Sequence, residues 1–156
     1  MTQPAADLSS DAQSAIAQAL TQSVAETAVT TMLAQNFHWN VKGMAFAPLH
    51  ELFQQIYEDH FQAQDDLSER VKALGAHAEG RLAEMLKMSK IGESDGHLSA
   101  TDMIKAMLAA QQTLAATVAG AGALAAEHGD TLTEDLCIAR GQTHEKFAWF
   151  LQAHLD

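Results

Sequence analysis

Cysteine occurs once in this chain of 156 residues, proline twice, and Lys and Arg together nine times against twenty Asp and Glu. Each scarcity excludes a class of protein. A lone Cys137 cannot build a disulfide framework, so a reducing compartment, the cytoplasm, is the expectation. Few prolines and 47% apolar residues exclude intrinsic disorder and collagen-like structure, and the length suits one globular domain with its own core. No run of about eighteen apolar residues exists, and the opening segment MTQPAADLSSDAQ lacks both a basic stretch and an apolar one. Neither a membrane span nor a signal peptide is therefore expected. The formal net charge of −11 leaves no clustered Lys and Arg to hold a phosphate backbone, and residues 1 to 35 contain neither residue. DNA is not an expected partner; metal cations suit such a surface better.

The β-branched alternation of strands is missing too, while Ala, Leu, Gln, Glu and Met abound, which predicts an all-α chain. Ser9 or Ser10 caps a first helix running to about Trp39, with Ile16, Leu20, Val24 and Ala28 at helical spacing. Residues 39–43 break it. A second helix starts near Pro48 and stops at Leu74-Gly75. The segment from His77 to Gly96 reads as a long crossover containing a short amphipathic helix over Arg81 to Lys87. Ser99-Ala100-Thr101-Asp102 is a capping box opening a third helix that closes at His128-Gly129. Thr131-Leu132-Thr133-Glu134 is a second such box and begins a fourth helix reaching Leu155. The expected architecture is a short flexible tail over residues 1–9 and a four-helix bundle of ferritin-like type over 10–156, with a short extra helix in the crossover between helices 2 and 3. Gly120 and Gly122 inside the third helix imply close approach of a neighbouring helix, and Cys137 and the methionines read as packing.

The second helix carries two apolar faces. Leu49, Leu52, Phe53, Ile56, His60, Ala63, Leu67 and Val71 form the stripe that packs into the bundle, whereas His50, Gln54, Tyr57, Glu58, Phe61, Asp65 and Glu69 lie on roughly the opposite side. Aromatics among acids on the far face point to an interface between subunits, where acids must be paired or metal-bound. Asp65 and Glu69 are one turn apart and can hold a cation together. His38 closes the first helix and His50 opens the second, so both sit at one end of the helix pair. A di-iron site within one bundle would draw Glu-x-x-His from two helices, and no histidine here has Glu three residues before it. Asp65 lies about 22 Å along the helix from His50. One subunit cannot join the two pairs, but a two-fold axis setting two such helices antiparallel would bring the histidines of one chain to the carboxylates of its mate.

Asn36-Phe37-His38-Trp39-Asn40-Val41-Lys42-Gly43, Leu49-His50-Glu51-Leu52-Phe53, Asp65-Asp66-Leu67-Ser68-Glu69-Arg70 and the ending Glu145-Lys146-Phe147-Ala148-Trp149-Phe150-Leu151 resemble the signature of the Dps family, the mini-ferritins named as DNA-binding proteins from starved cells. The resemblance spans essentially residues 10 to 155. It implies a hollow dodecamer whose inter-subunit centres oxidise Fe(II), preferably with hydrogen peroxide, and whose cavity stores ferric iron. By position, His38 and His50 would ligate iron from one subunit, Asp65 and Glu69 from its two-fold mate, with Trp39 beside the centre. Family members commonly carry an Asp four residues after the second histidine, where it helps bind a second iron; Gln54 stands there in this chain, and a neutral amide is a poorer ligand for a hard cation. The acids at the start of the fourth helix, Asp130, Glu134 and Asp135, read either as complements to the helix dipole or, by resemblance, as lining for three-fold pores. The alternative function is the one that names the family, protection of the nucleoid by DNA binding with little iron oxidation.

Overall fold

The computed structural model describes residues 5–156, and among them helices are the only regular structure. The order is a 3-10 turn (Ala5–Asp7), α1 (Ser10–Asn40), α2 (Phe46–Ala73), α3 (Leu82–Met88), α4 (Ala100–Glu127) and α5 (Thr131–Gln152). Part of the expected tail, residues 1–4, lies outside the described residues; Leu8 is already buried in the core. The helices begin where polar side chains satisfy the free backbone N–H groups. Ser9 Oγ accepts from the Ala12 N–H at 3.2 Å, and Ser99 Oγ accepts from the Asp102 N–H at 3.1 Å while donating to Asp102 Oδ2 at 2.8 Å. α5 is capped one residue earlier than its sequence motif implies. Asp130, not Thr131, accepts the Thr133 N–H at 3.1 Å, because its carboxylate is also clamped by Arg70 at 2.6 Å from α2. α2 and α4 end at Gly75 (φ +83°) and Gly129 (φ +74°), in the left-handed conformation that stops a helix.

α1 packs on α2 and α4, and α5 packs on α4 and α2. Two apolar cores are stacked along the bundle. One holds Phe37, Leu49, Phe53, Ile56, Met103, Met107 and Leu151; the other holds Ile16, Leu20, Leu67, Val71, Met85, Val118 and Cys137. Ile91 belongs to the first core and Leu74 to the second, so the crossover climbs the full length of the bundle and α4 runs parallel to α2. At its top the crossover is tied down beside α1 by Asn36 Nδ2, which donates to the Ser94 carbonyl at 2.6 Å. Gly96 (φ +77°) passes so close that a Cβ there would collide with Asn36 Oδ1. Of the two glycines inside α4, Gly122 does permit close helix approach, a Cβ there meeting Cys137 Cβ at 3.0 Å; nothing presses on Gly120.

A polar layer joins the two cores. His60 Nδ1–H donates to Asp59 Oδ2 at 3.0 Å, Gln111 Nε2–H donates to His60 Nε2 at 3.1 Å, and His144 Nδ1–H donates to Gln111 Oε1 at 2.9 Å. Arg140 closes the layer with two bonds to Asp59, at 3.1 and 2.7 Å. Burial disfavours the Asp59 carboxylate, but the His60 and Arg140 hydrogen bonds outweigh it and hold the carboxyl well below its usual range. The chain thus ties α2, α4 and α5 together in one direction of hydrogen bonding; it fixes His60 as a neutral tautomer, while burial disfavours charge on His144, whose Nε2 has no partner.

Candidate metal centre at the head of the α1–α2 hairpin

His38 lies in the last turn of α1 and His50 in the second turn of α2, across a joint of residues 41–45. His38 Nδ1 bonds the His50 carbonyl at 2.7 Å, and His50 Nδ1 bonds the His38 carbonyl at 2.8 Å. The two rings stack with centroids 3.7 Å apart and an 18° interplanar angle. A carbonyl only accepts, so Nδ1 carries the hydrogen in both rings and each Nε2 keeps a free lone pair. This is the tautomer a metal-ligating histidine needs, and the backbone carbonyl that fixes it is the usual outer support of such a ligand. Helix ends supply the means: the His38 carbonyl is in the final turn of α1, where carbonyls lack intrahelical partners. Tyr57 stands edge-on to the His38 ring at 5.3 Å, and Phe46 leans on His50 at 5.0 Å.

The carboxylates lie elsewhere. Asp65 and Glu69 are exposed on successive turns of α2, about 22 Å down the helix from His50 by its rise per residue. Among the described residues no three His, Cys, Asp or Glu side chains converge as a metal site. The structure therefore brings His38 and His50 together and keeps Asp65 and Glu69 as a separate pair on the same surface. Gln54 is half-buried between the two pairs, with its Nε2–H donated to Glu58 Oε1 at 2.7 Å. The face is apolar as well as acidic: Phe61 is 73% exposed and Trp39, next to His38, is 64% exposed. Alongside, a groove of about 460 Å³ runs between α1 and the crossover, walled by Met32, Trp39, Leu82 and Leu86.

At the opposite end of the bundle the three acids around the start of α5, Asp130, Glu134 and Asp135, separate. Asp130 is fully buried in its ion pair with Arg70, whereas Glu134 is half-buried and Asp135 exposed. Burial opposes the Asp130 charge, and the Thr133 and Arg70 bonds overcome it, so the carboxyl is held below its usual range. Asp130 is thus a capping and pairing residue, the first of its two readings, and leaves Glu134 and Asp135 as the acids open to solvent here.

The residues that sequence reasoning passed over are those of the polar layer. His60 sat on the packing stripe without a partner. The available signal was an imidazole on an apolar face, which demands one, together with Arg140 and His144 one turn apart on α5.

Four long helices, a crossover climbing the bundle and a histidine pair at the hairpin head define a ferritin-like four-helix protein. The Ferritin-like domain family matches residues 17–156. General stress protein 20U of Bacillus subtilis is 33% identical over 138 residues, 88% of this chain and 95% of that protein. The DNA protection during starvation protein of Brevibacillus brevis is 33% identical over 144 residues, 92% of this chain and 97% of that one. The crystal structure of the Dps protein of Vibrio cholerae O1, described as a member of a broad superfamily of ferritin-like diiron-carboxylate proteins, superposes with a TM-score of 0.93 at 28% identity, covering 100% of this chain and 98% of that chain. The chain belongs to the Dps family. No helix among the described residues is long and apolar enough to cross a membrane.

Proposed function

We propose that this chain is a mini-ferritin that oxidises Fe(II) at centres shared between two-fold-related subunits and stores the ferric product inside a dodecameric shell in the cytoplasm. The observation that carries the reading is the reciprocal histidine lock: two imidazoles, one from the end of α1 and one from the start of α2, with both Nε2 lone pairs free, while Asp65 and Glu69 of the same chain lie about 22 Å down α2. Two such ligands from one chain meet Asp65 and Glu69 of the mate when the α2 helices cross antiparallel. The exposed Phe61 and Trp39 and the apolar groove beside Met32 and Leu86 supply the surface such a pairing buries. Imidazole nitrogen and carboxylate oxygen suit Fe(II), and a centre without thiolate gives no advantage to soft metals.

In the reaction, one peroxide takes one electron from each of two Fe(II) ions. Its O–O bond breaks and, with two protons, it leaves as two waters. The Fe(III) ions then hydrolyse, releasing protons, and move inward. Glu134 and Asp135 offer carboxylates to incoming cations at the head of α5, where Dps shells have their three-fold pores. The net charge of −11 and the absence of Lys and Arg from residues 1 to 35 favour protection by iron chemistry over contact with DNA. Purified protein given Fe(II) and peroxide should turn amber and stay soluble, while H38A and H50A should leave oxidation near the protein-free rate. A wild-type rate equal to that of either variant overturns the reading.

A further inference from the structure

Glu58 lies on the His50 face of α2, one turn beyond Gln54, and has no place in the proposed set of four ligands. Its contact with Gln54, 2.7 Å from Nε2 to Oε1, decides the orientation of an amide whose two ends otherwise look alike. A carboxylate can only accept, so the amide must turn its NH2 toward Glu58 and its carbonyl oxygen away. His50 is one turn back along the helix, on the side from which Glu58 is absent. Similar glutamine–acid pairs occur on α2, Gln62 with Asp66 at 3.0 Å and Gln55 with Glu51 at 3.4 Å, but their glutamines are exposed where Gln54 is half-buried, and neither follows a histidine by one turn.

We propose that Glu58 is a positioning residue for the second iron, orienting and polarising the Gln54 amide so that Gln54 Oε1 serves as an oxygen ligand where Dps proteins commonly place a carboxylate. The inference rests on the inter-subunit centre proposed above. A charge-assisted hydrogen bond to the amide NH2 draws electron density toward the carbonyl oxygen through the conjugated C–N bond, making it a better donor to a hard cation. The anion is kept, moved one turn down the helix and one bond further from the metal. Outer partners of this kind commonly govern affinity at a metal site by about 10- to 100-fold.

The test is a Co(II) titration of the assembled protein, followed by calorimetry and visible absorbance, on wild type, E58Q, Q54D and E58Q/Q54D, with thermal unfolding recorded on each. Wild type should take two Co(II) per centre in two steps. E58Q should weaken the second step by about tenfold and leave the first step and the unfolding temperature unchanged. In the Q54D background the same change should cost less than about twofold or even tighten the second step, because Glu58 then faces a like charge and has no amide to orient. Equal second steps in E58Q and wild type, an equal loss in both backgrounds, or a single Co(II) per centre in wild type overturns the role of Glu58. H38A separates this from the underlying reading: tight Co(II) binding that survives H38A overturns the centre itself, and the role of Glu58 with it.

Discussion

His38 and His50 hold each other through their backbones, the Nδ1–H of each donating to the main-chain carbonyl of the other, at 2.7 and 2.8 Å. Because the acceptors are carbonyls, removing one imidazole leaves the other with its hydrogen bond and its orientation. His38→Ala and His50→Ala should therefore each keep one aimed Nε2 and retain weak binding of a single Co(II), whereas the double variant binds none. Each single change also removes one staple from the joint over residues 41–45, worth about 1 kcal/mol. Calorimetric titration and chemical unfolding of the three variants check both parts. Complete loss of Co(II) binding in either single variant would show that the rings, not the carbonyls, orient each other.

His144 sets an acid limit on stability. Burial, reinforced by the neighbouring His60 and Arg140, pushes its pKa down to about 2. In the unfolded chain the imidazole takes its proton near pH 6.5, so between about pH 6.5 and 2 the unfolded state holds the extra proton. Stability falls with pH across that window, by up to about 1.4 kcal/mol per unit for this one group. His60, lowered by burial against the opposing Asp59 bond, acts in the same direction. His144→Phe loses the bond to Gln111 and should be less stable by about 1–3 kcal/mol at neutral pH, yet its stability should decline less steeply from about pH 6.5 to 5. Urea unfolding at several pH values reads this directly, and parallel declines in the two proteins would contradict it.

Gly96 seats the crossover against α1. At φ +77° with Asn36 Oδ1 in the space of a Cβ, alanine meets both backbone strain and a clash. Gly96→Ala should cost about 1–3 kcal/mol, largely by loosening the tie from Asn36 to Ser94. Limited proteolysis should then cut within residues 89–99 faster than in wild type. Gly120→Ala, where nothing lies within contact distance, should instead be neutral or stabilising.

Much of this was legible along the chain because the determinants are local. Ser9, Ser99, Gly75 and Gly129 mark helix ends through their own side chains or through φ, and the rise per residue alone separates His50 from Asp65. The cap of α5 was displaced by one position because Asp130 and Thr131 both offer an acceptor, and only the tertiary partner Arg70 chooses between them. The His60–Gln111–His144 chain joins residues on three helices, which no local pattern encodes. The histidine lock was invisible for a related reason. Sequence places His38 and His50 at one end of the hairpin, but their tautomers follow from backbone carbonyls whose direction only the folded joint determines.

The two-fold sharing of the centre makes its own prediction. If His38 and His50 act with Asp65 and Glu69 of the mate, His38→Ala and Asp65→Ala should each abolish most peroxide-driven oxidation at the centres. A dimer containing one chain of each kind has two unlike centres. One combines both defects, while its twin joins an unmutated His38 to an unmutated Asp65 and is intact. When the two variants are co-expressed equally and assemble at random, half the dimers are mixed and half of their centres are whole, so roughly a quarter of the wild-type rate should return. A centre confined to one subunit restores nothing, since every chain then carries its own defect. The measurement is the initial rate of Fe(II) oxidation by peroxide in the co-assembled shell, after native mass spectrometry has established that mixed dimers are present. A rate no higher than that of either variant alone would refute the shared centre, and a return near one quarter would distinguish sharing across the two-fold axis from any arrangement within a single bundle.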